Sequence, residues 1–409
     1  MKVEIKKGTP RGAVAAPPSK SCAHRMIICA ALADGVSRVA GVGMSEDILA
    51  TLDCVRALGA EARPEGQELV IRGCKDKIFV RSDPRTVLRC RESGSTLRFM
   101  IPAALCGGGA VFCGTERLIS RGVGVYEDIL RPRGIEFSVG KTEIGVSGRL
   151  SPGEYSIPGG VSSQFISGML FALPMLGGYS TVNVIPPFES RSYVDITVAA
   201  QRRFGVTVEQ TGENGFFIRG GQSYLPADVT VEGDWSQAAF FYALEADGGA
   251  GTVTVTGLDP DSLQGDRVCV GLLRQIRRGY TEADLSDCPD LAPVLFAAAA
   301  AAGHGAHFSG TRRLAIKESR RADVMAEELK KFGADVRVDE NSVTVAPGEL
   351  CAPQVPLCGH NDHRVVMALS VLAARTGGVI EGAEAVKKSY PGFFDDLASL
   401  GLEVQCYGT

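Results

Sequence analysis

The chain has 409 residues, 45% hydrophobic and 22% charged, so it is globular and long enough to bury more than one core. A formal net charge of −4 argues against a nucleic-acid surface as the main partner, and any cationic site must therefore be local. Twelve Cys with no C-x-x-C spacing and no apolar leader predict reduced thiols in a cytoplasmic protein; the longest apolar stretch, 291–302, is too short to span a bilayer.

In chain order, residues 1–5 read as a short strand, and Pro17-Pro18 then hold the chain extended. Ser19 stands at an N-cap, and the apolar run Met26-Ile27-Ile28-Cys29-Ala30-Ala31-Leu32 follows until Asp34-Gly35. Lys20 and Ser21 fall in the first helical turn, among free backbone N–H groups, with Arg25 one turn on. Two cations, a hydroxyl and free amides converge there, which suits a phosphate or carboxylate. The same kind of segment, a polar start followed by a nearly all-apolar helix and a Gly, recurs at 94–107, 162–177, 234–248, 290–303 and 362–377. Helices apolar all round are buried ones. Amphipathic helices ending in Gly alternate with them at 47–59, 193–205, 322–333 and 393–401, with weaker copies at 123–134 and 268–279. Strand-like runs at 68–71, 215–218 and 343–345 fill the gaps. The apolar helices start at 19, 94, 162, 234, 290 and 362, in steps of 75, 68, 72, 56 and 72. This spacing predicts a sixfold repeat of β-α-β-α-β-β units, short from 234, in two halves that cross near 13–20 and 226–234, with an ordinary doubly wound α/β fold as the alternative.

Chemistry gathers where these helices begin: Lys20-Ser21, Ser93-Gly94-Ser95, Ser162-Ser163-Gln164, Asp234, Pro289-Asp290 and Asn361-Asp362-His363-Arg364. Arg121, Ser190-Arg191-Ser192-Tyr193, Lys317-Glu318-Ser319-Arg320-Arg321 and Lys387-Lys388-Ser389 precede or open the amphipathic ones. Caps explain the Ser and Asp residues, but not Arg and Lys, which the helix dipole opposes at an N-terminus. With parallel helices in each half, these ends would face one anion-attracting cleft. Glu318 has a simple alternative as an ion pair with its basic neighbours, and Asp290 and Asp234 as helix caps. His363 is expected to orient Arg364 or cap its helix. His304/His307 and His360/His363 lack a third ligand cluster, so no metal site is expected.

At these residues the sequence resembles the 5-enolpyruvylshikimate-3-phosphate (EPSP) synthase family. The motifs are Pro18-Ser19-Lys20-Ser21 with Arg25, Ser93-Gly94-Ser95-Thr96-Leu97-Arg98, Ser162-Ser163-Gln164-Phe165, Ser190 with Tyr193, Gln264-Gly265-Asp266, Pro289-Asp290, Lys317-Glu318-Ser319 with Arg321, Asn361-Asp362-His363-Arg364 and Lys388-Ser389-Tyr390-Pro391, in family order. The resemblance implies a two-domain inside-out α/β barrel with three β-α-β-α-β-β units per domain, the fourth unit shortened. Residues 1–15 plus 231–409 would form the domain of the phosphoenolpyruvate-side cations, and 16–230 the shikimate 3-phosphate side. It implies transfer of enolpyruvyl from phosphoenolpyruvate to the 5-hydroxyl of shikimate 3-phosphate, releasing phosphate, in a cytoplasmic monomer that needs no cofactor. Lys20, Ser21, Arg25, Ser162, Ser163, Gln164, Ser190, Asp290 and Lys317, with Tyr193, would serve shikimate 3-phosphate. Lys20, Gly94, Arg121, Gln164, Glu318, Arg321, Arg364 and Lys388, with His363, would surround phosphoenolpyruvate, where the inhibitor glyphosate competes in this family. Glu318, Asp290 and Lys20 would exchange the protons.

This sequence departs from the family pattern at Glu92, Phe99, Gly122, Arg313 and Arg320, and lacks a pair of strands between Asp266 and Asp290. The nearest rival, a UDP-N-acetylglucosamine 1-carboxyvinyltransferase, would begin with Gly-(Ala/Ser)-Lys-Asn and carry a loop Cys. A non-catalytic six-repeat ring fits poorly with acidity and with cations confined to helix starts.

Overall fold

Short polar side chains start most of the buried helices, as their hydrogen bonds to orphan amides require. Ser19 accepts from the Cys22 amide at 3.4 Å and starts α1 (Lys20–Leu32), buried from Cys22 onward. Ser45 starts α2 (Glu46–Ala57), Ser93 starts α3 (Gly94–Leu105) and Ser162 starts α4 (Ser163–Ala172). The next helix, α5 (Arg191–Arg203), has no side-chain cap; Ser190 before it is left-handed, with φ 55°. Asp234 accepts from the Gln237 amide at 3.0 Å and starts α6 (Trp235–Ala243). Then follow α7 (Ala292–Ala302), α8 (Arg321–Lys330) and α9 (His363–Thr376), the last capped by Asp362 on the Arg364 amide at 3.0 Å. The computed structural model describes residues 1–74, 78, 83–245 and 253–408. Gly248, the expected end of the fourth apolar segment, lies outside the described residues.

The fold is mixed α/β and divides into two compact units, Pro18–Glu232 and Met1–Pro17 with Gly233–Thr409. Sheets of one pattern recur in both. Val87–Arg91 pairs parallel with Gly109–Gly114, Glu143–Ser147 joins the latter antiparallel, and Glu136–Val139 takes the edge. Glu154–Pro158, Tyr179–Ile185, Gly215–Arg219 and Glu209–Thr211 repeat that order. The third sheet of the first unit takes its parallel edge strand from the far end of the chain segment, Asp228–Thr230 against Val36–Ala40. The second unit closes in the same way: the N-terminal strand Lys2–Ile5 lies between Gly378–Glu381 and Val404–Tyr407. Its sheet of Thr281–Asp284, Ala306–Ser309, Ser342–Val345 and Val336–Val338 is regular. Among the described residues, only Gly12–Ala15 and Val253–Thr256 pair alone, a two-stranded sheet where the short 56-residue step falls.

Each unit has its own apolar core. In the first, α1, α3 and α4 are its centre; in the second, α7 and α9, whose Ala-rich facing surfaces allow close approach. The sheets therefore bury one face on these helices while the helix N-termini stay at polar ends. Among the described residues no helix is long and apolar enough to cross a membrane.

Candidate active site

In the unit Pro18–Glu232 the first-turn cation of α1 is paired. Lys20 Nζ donates to Asp47 Oδ2 at 2.6 Å, both side chains about one-sixth exposed. Arg25 is 2% exposed and ties α1 to α5: Nε donates to Thr197 Oγ1 at 2.7 Å, Nη1 to the Ser21 carbonyl at 2.7 Å and Nη2 to the Tyr193 carbonyl at 2.8 Å. Its guanidinium carbon lies 5.1 Å from the Phe99 ring centroid. Phe99, a departure from the family pattern, is thus absorbed as a platform, stacked edge-on to Phe171. Burial pushes the Arg25 pKa down to about 10, which leaves it cationic at neutral pH. His24, also buried, accepts or donates at Thr51 Oγ1 over 2.7 Å, and burial with Lys20 and Arg25 holds its pKa well below normal.

Gln164 follows the α4 cap. Its Oε1 accepts from Arg98 Nη1 at 2.7 Å and its Nε2 donates to Ser95 Oγ at 2.9 Å. Arg98 can only donate, so this pairing fixes the amide's orientation. Ser163 is buried beside it, and Ser190 holds a backbone region that side-chain-bearing residues rarely adopt. At the start of α3, a Cβ built on Gly94 would lie 3.1 to 3.3 Å from the Arg121 guanidinium atoms. Arg121 precedes the helix Gly124–Leu130, as expected from the sequence, and it also closes the short helix Glu116–Ser120, where the dipole favours a cation.

In the other unit the carboxyl groups organise the cations. Asp290 caps nothing; it sits in the tight turn Pro289–Leu291 before α7. Its Oδ1 accepts from Arg321 Nη1 at 2.9 Å and Lys317 Nζ at 3.3 Å, and its Oδ2 from Arg364 Nη2 at 2.9 Å. Glu318 Oε2 accepts from Arg321 Nη2 at 2.5 Å, so the ion pair foreseen for it exists, alongside a second carboxylate on the same guanidinium. A third, Asp362, accepts from Arg321 Nε at 2.9 Å and from Ser319 Oγ at 2.9 Å. Burial would raise the Asp362 pKa, but Arg321 overrides it and holds the carboxyl below its usual range. Burial likewise would lower Arg321, whose three carboxylates instead raise it; Lys317, partly buried with weaker compensation, is lowered.

The cap of α9 is Asp362 and not His363, which is buried in its first turn. Arg364 Nη2 also donates to Ser236 Oγ at 3.0 Å, and Ser236 donates to the α6 cap Asp234 at 2.6 Å. Lys388 Nζ donates to the Asn361 carbonyl at 2.7 Å, from the end of the tight helix Ala383–Lys388 where no dipole opposes it. One grouping of potential ligands joins segments far apart in sequence: Glu327, Glu328 and His360 gather donor atoms within 4.8 Å. Lys331 Nζ, however, already sits on both Glu328 oxygens, at 2.8 and 2.9 Å.

Asp47, Arg98, Thr197, Ser236 and Asp362 were not singled out from the sequence. Arg98 and Asp362 lay inside quoted motifs; Asp47, 27 residues from Lys20, carried no local signal. The chemistry available is acid–base work by paired carboxylates among cations, with buried donors for anionic substrates.

Comparison with known proteins agrees. A family model described as EPSP synthase (3-phosphoshikimate 1-carboxyvinyltransferase) matches residues 6–397. A protein of Clostridium kluyveri named 3-phosphoshikimate 1-carboxyvinyltransferase is 40% identical over 415 residues, 96% of each chain. The solved EPSP synthase of Acinetobacter baumannii superposes with a TM-score of 0.79 at 25% identity, over 99% of this chain and all of that one. The enolpyruvyl transferase NikO of Streptomyces tendae shares the fold, with a TM-score of 0.75 at 16% identity over 99% of this chain and 98% of that one.

Proposed function

The chain belongs to the EPSP synthase family, and from that premise we infer how its own residues divide the work. It is a 3-phosphoshikimate 1-carboxyvinyltransferase: enolpyruvyl passes from phosphoenolpyruvate to the 5-hydroxyl of shikimate 3-phosphate, and phosphate leaves. Addition places a proton on the methylene carbon and removes one from the 5-hydroxyl, giving a tetrahedral ketal. Elimination takes a proton back from the new methyl group as the carbon–oxygen bond to phosphate breaks.

The observation that carries the assignment of roles is the pair of carboxylates on Arg321. Glu318 serves the methylene carbon and Asp290 the hydroxyl, with Lys20 available to exchange protons on the other unit. On the first unit, Lys20, Ser21, Arg25, Ser162, Ser163, Gln164, Ser190 and Tyr193 serve shikimate 3-phosphate, and Gly94, Arg121 and Gln164 serve phosphoenolpyruvate. On the second, Lys317 and Asp290 serve the former, and Glu318, Arg321, His363, Arg364 and Lys388 the latter. Arg321, with donors spent on three carboxylates, acts mainly by arranging them. Developing negative charge on the departing phosphate is met by Lys and Arg, a task that formally requires no metal.

The finer architecture belongs to the same reading. Each unit is an inside-out barrel of three repeats, the fourth of the six being shortened, in a cytoplasmic monomer.

Phosphate release from phosphoenolpyruvate, measured with and without shikimate 3-phosphate, tests the function. Release is expected only with both; equal release with UDP-N-acetylglucosamine as sole acceptor would overturn it.

A further inference from the structure

Beyond the residues assigned above, one buried charge in the second unit lacks a role. Glu328 is wholly buried, on α8, seven residues from Arg321 and so on the same helix face. Burying a carboxylate is unfavourable unless its partners satisfy it. Here they do: Lys331 spans both oxygens, the Cys358 amide donates to Oε2 at 2.9 Å, and His360 Nε2 bonds Oε1 at 2.9 Å.

Two of these partners, the Cys358 amide and the His360 ring, belong to one turn. His360 and Asn361 are consecutive left-handed residues, φ 47° and 54°, neither of them Gly. Such conformations are unfavourable for residues with a side chain and persist only where the surroundings hold them. Directly beyond, the Asn361 carbonyl accepts from Lys388 and the Asp362 carboxylate accepts from Arg321. One face of α8 thus grips the turn at both ends, Glu328 at Cys358 and His360 and Arg321 at Asp362.

We propose that Glu328 is a positioning residue, holding turn 358–361 against α8 so that Asn361 and Asp362 set Lys388 and Arg321 in place. Lys331 supplies the cation that a metal would otherwise bring to this carboxylate. The catalytic consequence rests on the function proposed above.

The test uses the full chain with Glu328→Ala, Glu328→Gln and His360→Ala, and it has two readouts. In steady-state kinetics, Glu328→Ala should raise KM for phosphoenolpyruvate about tenfold, with KM for shikimate 3-phosphate changed less than about twofold. Glu328→Gln keeps an acceptor for the Cys358 amide and should recover part of the loss. Independently, the acylation rate of Lys388 by an amine reagent, followed by peptide mass spectrometry, should rise in Glu328→Ala and in His360→Ala. If Glu328→Ala does not fold, His360→Ala, on a partly exposed side chain, decides the matter. Unchanged Lys388 reactivity in a folded variant, or equal rises in both KM values, would overturn the proposal. Should the parent show no transferase activity, the function fails separately and Lys388 reactivity alone judges Glu328.

Discussion

Asp290 and Glu318 hang on adjacent nitrogens of one guanidinium: Arg321 Nη1 reaches Asp290 Oδ1 at 2.9 Å and Nη2 reaches Glu318 Oε2 at 2.5 Å. A proton gained by one carboxyl is therefore felt by the other through a shared cation. A reaction whose second half reverses the proton movements of its first is served by such coupling.

Glu318→Gln and Asp290→Asn are each expected to lower kcat by roughly 10²–10⁴ while shikimate 3-phosphate still binds, the usual worth of acid–base catalysis. The double variant should fall well short of the product of the two effects, since both groups act through Arg321. Single-turnover phosphate release measures this. Near-parent turnover in either single variant would return that carboxylate to a plain ion pair.

Asp362 sits on the same guanidinium but is wholly buried, whereas the Glu318 side chain is one-fifth exposed. Asp362→Ala should therefore destabilise the fold by about 3–5 kcal/mol, leaving Arg321 short of a buried partner, with Glu318→Gln affecting stability far less. Denaturant unfolding of the two variants distinguishes them, and equal stabilities would refute this ranking.

What the sequence could and could not reveal follows from range. Caps act within three residues, so Ser19, Asp234 and the polar starts of the apolar helices were legible along the chain. The spacing of the apolar runs likewise exposed the alternation of helices and strands that makes the fold mixed α/β. Side-chain partners were not legible, because they join residues far apart in sequence. Lys20 meets Asp47, Gln164 meets Arg98 and Arg364 meets Asp290, 74 residues away. The helix Glu116–Ser120 that Arg121 closes was missed for a related reason: five residues are too few to show a period.

Acid should weaken the fold through His24. Burial, with Lys20 and Arg25 nearby, depresses its folded pKa well below the ordinary 6.5. Above that pH both folded and unfolded states hold it neutral, and its contribution is fully present. As pH falls below 6.5 the unfolded state takes up a proton that the folded state refuses, so stability is lost. One such proton is worth about 1.4 kcal/mol per pH unit. His24→Gln, which cannot titrate, should flatten the pH dependence of unfolding free energy just below 6.5. An unchanged slope there would assign the loss to other groups.

Gly94→Ala should alter anion binding without harming the fold. Gly94 is the first residue of α3 with ordinary helical backbone, so Ala fits the helix and, by restricting the unfolded chain, should hold or raise the melting temperature. Its new methyl would press within 3.1 to 3.3 Å of Arg121, closer than such contacts normally run. The guanidinium is the far end of a flexible side chain, so it yields by a few tenths of an ångström while the backbone stays put. Phosphoenolpyruvate, small and carrying two anionic groups, should tolerate that shift with a KM rise of a few-fold. Glyphosate is longer and needs the space as well as the charge, so its inhibition should weaken about tenfold or more. Inhibition titrations of the parent and Gly94→Ala against phosphoenolpyruvate, with Arg121→Lys alongside, decide it. If displacement of Arg121 is the cause, Arg121→Lys, which lacks the planar fork, should lose affinity for both ligands even with Gly94 intact. Equal glyphosate sensitivity in the parent and Gly94→Ala would mean that this glycine does not shape the anion site.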